Sequence, residues 1–200
     1  MWRSFASGAL LLVAGAAAAQ AQSTGTPVYQ APYRAFAKSE FAISLSEPGA
    51  GFDLEGSVRG GLSGTTDIGV RAGIYSPPGP GTSDALVGVD LRSRLVTHTE
   101  SFPLDGSATV GLGFQSGGGA TVGYLPVGFS MGRRVLIEGS DISLVPYVQP
   151  VLTFLMGDAT GTQFSLGFGL DARVTPRLDL RFSAAVGNLS GIGFTVAFLH

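Results

Sequence analysis

The chain has 200 residues, a formal net charge of −2 and only 13% charged residues, against 44% hydrophobic ones. That is one domain's length with too little basic charge for a nucleic-acid binder and too much apolar content for a disordered segment. Cysteine is absent, which excludes disulfides, thiolate metal sites, a cysteine nucleophile and a lipidated cysteine.

The first element is a targeting signal. Arg3 precedes an apolar run from Ala9 to Ala19, followed by the small-residue box Ala19-Gln20-Ala21, with Ala17-Ala18-Ala19 as a second box. The pattern predicts a secretory signal peptide over residues 1–21, cleaved after Ala21. The run is too short for a spanning helix, which needs about 20 apolar residues. Residues 22–38 have no period and contain Pro27 and Pro32; they read as an exposed periplasmic leader.

Residues 39–200 are dominated by a period of two, the strand signal. Phe41, Ile43 and Leu45 open the pattern, and Phe52, Leu54, Val58 and Leu62 continue it. Then come Ile68, Val70, Ala72 and Ile74; Val87, Val89, Leu91 and Leu95; and Ala108, Val110, Leu112 and Phe114. Leu125, Val127, Phe129 and Met131 keep the alternation, although Tyr124 and Pro126 fall on the opposite face. Pro146 and Pro150 interrupt residues 142–155, which predicts a bulge or weakly paired region, because proline donates nothing to a ladder. The pattern is regular again from Phe164 to Val174, from Leu178 to Val186 and from Ile192 to Phe198. Turn-rich stretches separate these runs, among them SPPGPGTSD at 76–84 and SGGG at 116–119. The prediction is an all-β chain of about ten strands, with eight as the alternative.

The two faces differ in kind. One carries Phe, Leu, Val and Ile. The other carries Gly, Ser, Thr and the strand charges: the acids Asp53, Glu55, Asp67, Asp90, Asp171 and Asp179, and the bases Arg59, Arg71, Arg92, Arg94, Arg173 and Arg181. A soluble barrel turns its apolar face inward, whereas a membrane barrel turns it to lipid. The equal numbers of acids and bases, the glycine content and the single lysine, Lys38, favour the membrane form. The expected fold is therefore a transmembrane antiparallel up-and-down β-barrel, its interior an Arg/Asp network.

Residues 163–198 also carry a resemblance. Gly169-Leu170-Asp171-Ala172-Arg173, the turn Thr175-Pro176 and Leu178-Asp179-Leu180-Arg181 resemble the closing strands of small bacterial outer-membrane barrels of the OmpA-like, opacity-protein-like class. The resemblance implies an outer-membrane location and a last strand that the barrel-assembly machinery reads, here through Gly193, Val196 and Phe198. The chain departs from the pattern by ending in Leu199-His200. An even strand count puts both termini on the periplasmic side. A three-residue turn, Thr175-Pro176-Arg177, would set Val174 opposite Leu178, Arg173 opposite Asp179 and Asp171 opposite Arg181.

Chemistry is sparse. The histidines are His98 and His200, and neither sits in a ligand spacing, so no metal and no cofactor is expected. His98 lies near Thr99, Glu100 and Ser101, a weak basis for Ser–His–acid work. Gly117-Gly118-Gly119 lacks the Lys-Ser/Thr of a phosphate loop and reads as a turn. The expectation is a non-enzymatic barrel with a structural, membrane-integrity or surface-interaction role. Its partners would be outer-membrane lipid and the assembly machinery, with no nucleic acid. The alternatives are a narrow channel for ions or small solutes, a lipid-modifying membrane enzyme and a soluble secreted carrier of apolar ligands.

Overall fold

A computed structural model describes residues 23–32 and 38–200. The predicted signal peptide over 1–21, and residues 22 and 33–37 of the predicted leader, lie outside the described residues. The strands run in chain order as β1 (Glu40–Glu47), β2 (Phe52–Gly61), β3 (Thr66–Ser76), β4 (Asp84–Val96), β5 (Asp105–Gly117), β6 (Ala120–Gly132), β7 (Val135–Leu136), β8 (Ser143–Gly157), β9 (Gly161–Thr175), β10 (Leu178–Gly187) and β11 (Gly191–Leu199). Each long strand pairs antiparallel with its neighbours in sequence, β6 pairs with β8, and β1 pairs with β11. The result is a closed ten-stranded up-and-down barrel, with two-residue β7 as a short addition beside β8. The count is ten and not eight.

The seam between first and last strand is fully laddered, from Glu40↔Leu199 to Glu47↔Ile192. It is extended by reciprocal backbone bonds between Ser39 and His200, each 3.1 Å. One end of the barrel, the terminus end, holds this seam's start and the connections at 62–65, 97–104 and 176–177. The far end holds the connections at 48–51, 77–83, 118–119, 158–160 and 188–190. The β5–β6 connection is a two-residue turn, Gly118-Gly119, closed by the pair Gly117↔Ala120. Both central residues have positive φ (59° and 88°), the backbone a tight hairpin needs and glycine supplies without strain.

Period two becomes two faces. Val58 and Ile192, 60% and 62% exposed, typify the outward rows, whereas the inward rows of β1, β2 and β4 are buried. An apolar exterior around a charged interior is the arrangement of a barrel that faces lipid. The expected weak pairing in β8 takes the form of a gap and not a register shift. The β6–β8 ladder skips from Gly128↔Val151 to Met131↔Val148, and Pro150, which has no N–H to give, lies in the interval.

Two expectations are corrected. The β9–β10 turn is tighter than foreseen: a bulge at Leu178/Asp179 pairs Leu178 with Thr175, not Val174. Arg173↔Asp179 and Asp171↔Arg181 still stand opposite one another. The second correction is larger. The described part of the supposed exposed leader, residues 23–32, is buried throughout and lies inside the barrel. It forms no ladder, so it has no period. Its small polar residues suit a polar lumen as well as they suit water, which is why its sequence reads as exposed.

Candidate functional site: the barrel lumen

The inward rows of β2, β3 and β4 place Asp53, Glu55, Arg59, Asp67, Arg71, Asp90 and Arg92 in the lumen, and all seven are buried. Burial this deep demands partners, because an unpaired charge away from water costs several kcal/mol or more. The partners are there. Arg59 donates to Asp67 (Nη1···Oδ1 2.6 Å) and to Asp90. Arg92 donates to Asp67 (Nη2···Oδ2 2.5 Å). Arg71 lies 3.6 Å from both Glu55 and Asp90. Asp53 is fully buried and takes a hydrogen bond from Ser46 (3.3 Å), but pairs with no arginine or lysine among the described residues. Arg94, at the terminus end of β4, is half-buried.

A second cluster belongs to β9, β10 and β1. Arg173 makes a bidentate pair with Asp179 (Nε···Oδ1 2.8 Å, Nη2···Oδ2 3.0 Å). Arg181 contacts Asp171 (3.4 Å) and Asp179 (3.4 Å), and grips both carboxylate oxygens of Glu40 (2.9 and 2.5 Å). Glu40 was missing from the expected interior set, and so was Asp105, which is fully buried and holds His98 by its backbone N–H and its Nδ1 (3.1 Å each). Both acids open strands, where turn and strand are hardest to divide. The signal was nonetheless present, since each starts an inward row of small or polar residues: Glu40-x-Ala42-x-Ser44 and Asp105-x-Ser107-x-Thr109. His98 itself lies in the 97–104 connection, where Ser101 bonds Thr99 (3.1 Å).

The N-terminal segment completes the first cluster. Thr26 Oγ1 donates to Glu55 (2.8 Å), Gln30 Nε2 donates to Asp90 (3.2 Å), and Arg92 Nη1 donates to the carbonyl of Ala31 (2.7 Å). On the opposite wall, the Gln30 N–H reaches Gln149 Oε1 (3.2 Å) and the Ser130 hydroxyl donates to the Gln30 carbonyl (2.9 Å). Ser130 and Gln149 lie within the gap in the β6–β8 ladder, beside Pro150. Ser183 on β10 donates to the Pro27 carbonyl (2.5 Å). Tyr29 packs into an apolar patch with Val145, Tyr147, Val151 and Leu189.

Inward glycines make the space. A Cβ at Gly113 would collide with the Ser23 backbone, and one at Gly167 with the Tyr29 ring. Gly169 gives the same room to Tyr147. One void of about 10 Å³ lies beside Tyr29, Gln30, Glu40, Arg59, Arg71 and Arg181. That is roughly what one water needs. Of the expected assembly residues, Val196 and Phe198 face outward on β11, while Gly193 faces the lumen, 3.0 Å from the Pro27 carbonyl were it to carry a Cβ. Among the described residues no group of three or more His, Asp or Glu is arranged to hold a metal.

The geometry thus defines a class: a small closed antiparallel barrel, apolar outside and charged within. No family model matches the chain, and no curated protein does. Among solved structures it is similar to the N-terminal β-barrel domain of Pseudomonas aeruginosa OprF, at 14% identity over 82% of this chain and 98% of that one, TM-score 0.40. It is similar to the Acinetobacter baumannii outer membrane protein Omp33, at 12% identity over 84% and 100%, TM-score 0.39. It is also similar to the beta domain of the Bordetella autotransporter Brka, at 15% identity over 82% and 99%, TM-score 0.47.

Proposed function

We propose that the protein is a non-enzymatic outer-membrane barrel whose lumen is closed at rest. It acts through its wall and connecting loops, as a structural, membrane-integrity or surface-interaction element. The observation that carries this reading is the occupied lumen: residues 23–32 bridge from β2 and β4 to β6, β8 and β10. The apolar exterior supports lipid as the surrounding medium, since an arginine facing mid-bilayer costs about 2–4 kcal/mol and the strand arginines point inward. On this reading the signal peptide delivers the chain to the periplasm. The assembly machinery reads β11 through Gly193, Val196 and Phe198, and the terminus end faces the periplasm. Outer-membrane fractionation with heat-modifiable gel mobility is the test. Recovery in the outer membrane, with a band that shifts on boiling, is the expected result. A soluble protein with no shift overturns the proposal.

A further inference from the structure

The closing segment differs from the wall it closes. It belongs to no ladder and carries no charged side chain between Ser23 and Pro32. Side-chain and backbone hydrogen bonds of neutral groups, three charge-assisted contacts and the packing of Tyr29 hold it. On β4 it reaches from Gly88, which Ser23 overlies, to Arg92, which holds Ala31. That is four residues, or about 13 Å along a strand. The wall's pairs Arg59–Asp67, Arg92–Asp67 and Arg181–Glu40 do not depend on it.

The lumen is also electrically uneven along its axis. Every described arginine and lysine lies at mid-strand or toward the terminus end, Arg71 at the sixth of eleven positions in β3 being nearest the far mouth. The far half holds Asp53, Glu55 and Asp84 on inward rows and no base among the described residues. Asp53 is fully buried there with one carboxylate oxygen unbonded. In the terminus half, arginines and acids pair off. A water-filled path through this barrel would meet a neutralised half and then an acidic one. Rings of acidic side chains are what select cations in narrow pores.

We propose that residues 23–32 are a displaceable plug, and that the barrel with the plug out is a cation-selective pore. Thr26 on Glu55 places the plug across the entrance to the acidic half, and Gln30 and Ala31 anchor it to the charge cluster beneath. The plug takes no part in the strand ladders, so its removal uncovers a path lined by Ser44, Ser57, Arg71 and Thr195, with Glu55 on the same inward row as Ser57, without unpairing any strand.

The test is planar-bilayer recording under a potassium chloride gradient, comparing the full chain with a variant lacking residues 23–32. The deletion variant is first shown to be folded by its heat-modifiable mobility. Discrete steps from the deletion variant, with a reversal potential favouring potassium over chloride several-fold, are expected. Asp53→Asn with Glu55→Gln in the same background should remove most of that preference. A folded deletion variant that stays silent overturns the proposal, and so does a pore that prefers chloride or neither ion. If the deletion does not fold, the decision passes to Val28→Cys with Gly193→Cys. A Cβ at 193 lies 3.4 Å from Val28 Cγ2 and the chain has no other cysteine. Openings under voltage in the reduced form that vanish on oxidation support the plug, and a reduced form without openings overturns it. Silence here leaves the membrane-barrel reading standing, because that reading fails on fractionation alone.

Discussion

The lumen contains two charge clusters built on different plans. In the one on β9, β10 and β1, Arg173 meets Asp179 and Arg181 meets Asp171 because adjacent strands set them opposite, and Arg181 also reaches past β11 to Glu40. The one on β2, β3 and β4 also holds a register pair, Arg92 opposite Asp67, but is completed by a segment that is not part of the sheet, through Thr26, Gln30 and Ala31. The first is satisfied within the wall, reaching across β11 through the Arg181–Glu40 pair. The second keeps its wall pairs Arg59–Asp67 and Arg92–Asp67 but draws further hydrogen bonds to Glu55, Asp90 and Arg92 from its occupant. The difference teaches that a narrow barrel can satisfy buried charge either within its wall or with a borrowed piece of chain, and that the two solutions fail differently.

The largest expected break lies in the second cluster. Arg92→Met strips Asp67 of an arginine and the Ala31 carbonyl of a donor, in a site with 1% exposure. Removing one partner of so buried a pair costs about 3–5 kcal/mol. Equilibrium unfolding in detergent should show that loss, whereas Arg173→Met, at a side chain 21% exposed, should lose distinctly less. Equal losses would erase the distinction between the clusters. Next comes Gly167→Val, which thrusts methyls into the Tyr29 ring. Overpacking costs about 1–3 kcal/mol. Here it should appear as protease sensitivity of residues 23–32, while the strand core stays protected.

A third variant probes the register cluster. Asp179→Arg sets a third arginine against Arg173 and Arg181 at a buried position, so it should lower the folded yield and slow assembly. Adding Arg173→Asp should recover part of the folded yield, and no recovery would argue that the pair contributes nothing. The smallest effect belongs to Ser183→Ala, which removes one hydrogen bond to Pro27 and should cost about 1 kcal/mol. It should loosen the segment in hydrogen exchange without shifting the unfolding midpoint of the wall by much.

The same contrast explains what was legible in the sequence. Period two names a face before any partner is known, so Asp171, Arg173, Asp179 and Arg181 could be paired from a turn and an alternation. Leu178 went astray by one position because a bulge costs one residue and leaves no mark in composition. Pro150 announced a defect in the ladder without saying whether it would be a bulge or a gap. Residues 23–32 were unreadable for a physical reason. Periodicity arises from ladders, and this segment makes none, while a polar lumen selects the same small polar residues that solvent does. Its trace was on the receiving side, in inward glycines such as Gly113 and Gly167, whose missing side chains make room for it.

The seam between β1 and β11 carries a topological consequence. A closed ring acquires a contained strand of chain in only two ways: the ring is zipped around it, or it is threaded through an open mouth afterwards. Residues 23–32 come before β1 in sequence, separated from it by seven residues, and β1 is one lip of that zip, joined to the other from Glu40↔Leu199 to Glu47↔Ile192. Biogenesis therefore takes one of these two orders. It also follows that any bulky label fused ahead of Ser23 must either share the bore or protrude from it, so the position of an affinity tag decides which form of the protein is purified.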